Sequence, residues 1–108
     1  MSDPTTEILN EVHRERARQD QRWGEQNHHD VDPVSGDVLH ANAGLRAANW
    51  KRVNDYRAEA GRLDWYGVLL EEVYEALAES DPERLIEELT QVAAVAVCWI
   101  ECIKRRES

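Results

Sequence analysis

Residues 64–103 read DWYGVLLEEVYEALAESDPERLIEELTQVAAVAVCWIECI, and this stretch decides the fold. Its one clear break is Ser80-Asp81-Pro82, a capping side chain followed by proline, which suits the first turn of a helix and no later position. Apolar residues recur at helical spacing on both sides of that break. The pattern predicts one helix from a cap at Asp64 to Glu79 and another from Pro82 to about Arg105. The short link between them folds the pair into an antiparallel hairpin. The first helix gathers Leu69, Leu70, Val73, Ala76 and Leu77 on one face. The second has a stripe of Leu85, Leu89, Val92, Ala96, Trp99 and Ile103.

Working outward, Asp3 and Pro4 open an earlier helix that runs to Arg22 and carries Ile8, Leu9 and Val12 as a short apolar stripe. Trp23-Gly24 ends it. Residues 24–38 hold two glycines, a proline and many polar side chains, a loop of unusual length, and loops of that kind are often functional. A second helix is expected over Leu39 to Ala60, with weak periodicity from Leu45, Trp50, Val53 and Tyr56, and Gly61 as its stop. The whole chain, residues 1–108, is thus expected to be a single all-α domain, four-helix bundle-like, with the long loop after the first helix.

Composition agrees. The 108 residues are rich in Ala, Glu, Leu and Arg, with five Gly, three Pro and no Phe, which favours helix over sheet. The net charge of −9 repels nucleic-acid backbone and anionic membrane, so neither is an expected partner. An acidic chain can still hold phosphates through a divalent cation. The longest apolar run, Val92 to Ile100, is too short to span a bilayer, and no charged-then-apolar leader opens the chain. Cys98 and Cys102 lie one helical turn apart, where a disulfide constrains little, and are expected to be core thiols. A cytoplasmic setting follows.

The chemistry gathers on the hairpin. Glu72 and Glu75 are three apart, so their side chains are neighbours and repel unless something positive lies between them. Glu88 falls at the border of the apolar stripe, beside Val92, Val95 and Trp99. A carboxylate there is costly to desolvate unless it is paired or coordinated. Gln91, one turn on, points to the same side. Carboxyl oxygens converging from two helices suit a hard cation, Mg²⁺ or Mn²⁺, and not Zn²⁺. By contrast, His28-His29-Asp30 with Asp32 lacks the spacing of a transition-metal site.

These residues resemble a known family. Glu71-Glu72-Val73-Tyr74-Glu75 is similar to the E-E-x-x-E motif of the MazG-like, all-α nucleoside triphosphate pyrophosphohydrolases. Glu88-Leu89-Thr90-Gln91 falls where that superfamily has E-x-x-D. Val68 to Ile103, together with Arg18 to His28, looks like the small single-domain members from phages and actinobacteria. The resemblance implies Mg²⁺ bound by these carboxylates, cleavage between the α- and β-phosphates to give a nucleoside monophosphate and pyrophosphate, and a dimer or tetramer. Gln91 departs from the pattern: an amide oxygen can ligate Mg²⁺ but brings no charge.

For such a reaction Glu71 or Glu72 is the expected general base. Lys51, Arg52 and Arg57 are candidates to steady the leaving pyrophosphate. Trp23 followed by Gln26, Asn27 and His28 offers a stacking surface with hydrogen-bonding edges, and Trp50 with Asn54 offers the same pairing on one helix. The last helix is apolar almost all round, which points to a homo-oligomer with that helix in the interface. Two other functions compete: a non-catalytic nucleotide-binding or helical interaction module with a weakened metal site, favoured by Gln91, and a purely structural helical protein.

Overall fold

The computed structural model describes residues 3–32 and 40–107. Within them the chain is all-helical, with α1 (Pro4–Trp23), α2 (Ala43–Glu59), α3 (Trp65–Leu77) and α4 (Pro82–Glu107) and no strand. Much of the expected loop, and the expected start of the second helix at Leu39, lie outside the described residues.

Each helix boundary has a local cause. Asp3 accepts the Thr6 N–H at 2.8 Å and Pro4 opens α1. At the other end Gly24 adopts φ 69° and returns its N–H to Asp20, a conformation that favours glycine. Helix α2 starts later than expected, because Asn42 sits in the left-handed region at φ 68° and cannot belong to the helix. Gly61, at φ 70°, ends the turn that follows α2. Asp64 caps α3 by accepting the Gly67 N–H, and Asp81 caps α4 by accepting the Arg84 N–H at 3.0 Å. Residues 78–81 turn the chain back, so α3 and the start of α4 form the expected hairpin, which brings Glu88 close to Glu72 and Glu75.

The helices group into two compact units. One holds α1 with the last part of α4, joined by a hydrogen bond from Thr5 Oγ1 to Glu101 at 2.8 Å and burying Ile8 and Val97. The other, residues 31–96, holds α2, α3 and the first part of α4, and contains the candidate carboxylates.

Three packing expectations are corrected. Leu45 and Tyr56, expected on the inner face of α2, are exposed, Leu45 by 71 %. Ala43, Ala47 and Asn54 are buried instead. Small side chains let α2 approach α3 closely, and Gly44 takes part, with Ala78 about a van der Waals contact away from where its β-carbon would stand. On α4, Leu89 and Ala96 turn outward, whereas Leu85, Glu88, Val92 and Val95 form the half-buried line and Val97 is buried. Cys98, expected in the core, is exposed, and Cys102 is half-buried; both are free thiols.

Candidate metal centre

Helix geometry builds the centre from three carboxylates. Glu72 and Glu75 lie one turn apart on α3, and the hairpin brings Glu88 of α4 against them. All three are half-buried, and each offers an oxygen within 4.8 Å of those of the other two. Among the described residues this is the one convergence of three or more acidic, histidine or cysteine side chains. No such group among the described residues includes the His28–Asp32 stretch.

Burial pushes the Glu72 carboxyl above its ordinary value, and the charges of Glu71 and Glu88 push it further. Glu75 is raised mainly by burial, then by Glu72, Glu71 and Glu88, with the hydrogen bond to Glu88 adding to the shift. Like charges held this close need a proton or a cation between them. Oxygens around a Mg²⁺ at its usual bond length stand about 3 to 4 Å apart, and around Ca²⁺ somewhat more. The observed spread needs little closure to meet either, and all the donors are hard oxygens, so the set could hold a hard divalent cation.

Glu88 lies in the half-buried line of Leu85, Val92 and Val95. Gln91 is exposed. Glu71 stands outside the trio, and its Oε1 accepts a hydrogen bond from Asn54 Nδ2 at 2.8 Å.

The expected substrate residues divide between the two units. Trp50 is half-buried and meets Tyr66 edge-on, with ring centroids 5.4 Å apart. Lys51 and Arg52 are exposed, and neither forms an ion pair among the described residues. Arg57 is committed elsewhere, to Asp64 at 3.2 Å and to the Arg62 carbonyl. Asn54 is buried between α2 and α3 rather than open on the surface. Trp23, Gln26 and His28 belong to the other unit, where they line an open depression of about 560 Å³ together with Glu25 and Asn27. The Arg22 guanidinium lies over the Trp23 ring there.

Two features carried no sequence signal. Tyr66, the partner of Trp50, sits beside a glycine in the first turn of α3 and gave no periodic cue. A pocket of about 410 Å³ is lined by His40, Arg46 and Tyr74, with the Arg46 guanidinium over the Tyr74 ring and bonded to its hydroxyl at 3.3 Å. Tyr74 is 28 residues from Arg46, and the α2–α3 packing brings the two together. No family profile, curated protein or solved structure matches the chain.

Proposed function

We propose that this chain is a Mg²⁺-dependent, MazG-like nucleoside triphosphate pyrophosphohydrolase, releasing a nucleoside monophosphate and pyrophosphate. The observation that carries it is the half-buried trio Glu72, Glu75 and Glu88, drawn from two helices into the reach of one cation. Three converging carboxylates with no ion pair among the described residues repel one another, and a bound cation would offset that repulsion.

Glu72, Glu75 and Glu88 hold the metal. When bound, Mg²⁺ neutralises phosphate charge and makes water a better nucleophile at neutral pH. Glu71 or Glu72 takes the proton of the attacking water. Lys51 and Arg52, exposed and without ion-pair partners among the described residues, are available to the leaving pyrophosphate. Trp50 and Tyr66 present aromatic surface to a base.

Assembly into a dimer or tetramer belongs to the same proposal. It is supported by Ile86 and Leu89 of α4, which are 65 % and 52 % exposed. No helix among the described residues is long and apolar enough to cross a membrane, and we place the activity in the cytoplasm.

The test is direct. Purified protein is incubated with ribo- and deoxynucleoside triphosphates and Mg²⁺ or Mn²⁺, and monophosphate and pyrophosphate are measured. Metal-dependent release of both is expected, and Glu88→Ala should abolish it. Product that survives Glu88→Ala would move the site elsewhere, and no product from any nucleotide would sink the hydrolase.

A further inference from the structure

Asparagine and glycine are both poor helix formers. Asn54 in α2 and Gly67 in α3 are nevertheless both buried, and they face each other. Asn54 is only 7 % exposed. Its Nδ2 donates to the Gly67 carbonyl at 2.9 Å and to Glu71 Oε1 at 2.8 Å. Its Oδ1 is buried without a hydrogen-bond partner and occupies the space a β-carbon on residue 67 would need.

The chemistry of the partners fixes this arrangement. Turning the amide over would set its oxygen against two acceptors, a carbonyl and a carboxylate. For packing alone, leucine would serve better at position 54, because it has similar volume and leaves no orphaned oxygen. The amide therefore answers a need other than packing. What it delivers is an N–H to Glu71, the one carboxylate of the E-E-x-x-E stretch outside the metal trio.

We propose that Asn54 is a positioning residue that orients Glu71 for proton transfer, leaving Glu72, Glu75 and Glu88 to the metal. This rests on the hydrolase function proposed above and chooses between Glu71 and Glu72 as base. In the reaction step the water oxygen bonds to the α-phosphorus as the bond from that phosphorus to the bridging oxygen breaks. Pyrophosphate leaves with the electron pair, and one water proton passes to the Glu71 carboxylate. Asn54 touches neither water nor nucleotide; it acts through Glu71.

The experiment uses Asn54→Leu in the full chain. Metal-free melting should be unchanged or higher, and calorimetric Mn²⁺ affinity should stay within about twofold, because the trio is intact. The value of kcat should fall about tenfold or more with KM unchanged. Glu71→Gln should lose at least as much, and the double variant no more than Glu71→Gln alone. Should leucine disturb folding, Asn54→Ala is measured the same way, with the same kinetic pattern expected at a lower melting temperature. In the metal-free wild type, the Asn54 side-chain amide resonances should move in Glu71→Gln. An unchanged kcat overturns the proposal, as does a raised KM with kcat kept, which would make Asn54 a nucleotide contact. Mn²⁺ affinity lost as in Glu88→Ala would place Glu71 in the metal site and also overturn it. In each of those cases the hydrolase stands; a wild type without hydrolysis overturns both.

Discussion

At the scale of single residues, the trio brings three carboxylates together with no ion pair to them among the described residues. Burial and neighbouring carboxylates raise both Glu72 and Glu75 in the folded chain. A carboxyl raised on folding favours the fold below its unfolded value, here near 4.5, and that contribution is lost as pH climbs through the folded value. Metal-free Glu75→Gln should therefore gain stability over wild type as pH rises from about 4.5 towards neutrality. Melts in EDTA across that window check this, and a gap that shrinks with pH would contradict the shifts. Mn²⁺ should reverse the order at neutral pH, stabilising wild type and not the variant. Gln91 argues the other way. It lies one turn from Glu88 and is exposed, so Gln91→Asp brings a charge to the edge of the centre at little folding cost. Calorimetric Mn²⁺ affinity should rise, by about tenfold if the new carboxylate reaches the ion. An unchanged affinity would show that position 91 does not take part.

Between elements, what was legible in the sequence depended on how local its cause was. The α3–α4 hairpin could be read because Asp64, Asp81 and Pro82 signal helix starts through contacts within three residues. Glu88 could be singled out because a carboxylate among apolar neighbours stands out in a periodic pattern. The inner face of α2 could not, because it packs through Ala43 and Ala47, which contrast little with their surroundings in hydropathy. Nor could the role of Asn54, since the Glu71 that it meets is 17 residues away. That joint makes its own prediction. Alanine is a better helix former than glycine, yet Gly67→Ala in the first turn of α3 should destabilise by about 1–3 kcal/mol because its β-carbon displaces the Asn54 amide. Removing the obstruction with Asn54→Ala in the same chain should recover part of that loss, a coupling visible in a double-mutant cycle by urea unfolding. Purely additive effects would mean that the two residues do not constrain each other.

For the whole molecule, the described residues bury few large apolar side chains. Ile8 and Val97 serve one unit, while the other relies on Ala43, Ala47, Ala76 and Asn54. Large side chains such as Ile86, Leu89, Tyr66 and Leu45 stay open to solvent. The exposed pair on α4 is informative, because Ile86 and Leu89 are three apart on one face, on the hairpin helix that also supplies Glu88. Apolar surface left open beside a functional helix is what a second copy of the chain would cover. Light scattering on the wild type should therefore give at least a dimer at micromolar concentration. Ile86→Lys with Leu89→Lys should shift it towards monomer while helical content by circular dichroism is kept, since neither side chain supports the fold of its own chain. Both positions lie outside the metal trio, so Mn²⁺ should still bind the double variant if each chain carries a complete site. Affinity that disappears with the oligomer would mean that a neighbouring copy completes the centre. A wild type that is monomeric throughout would leave these exposed side chains without the partner proposed for them.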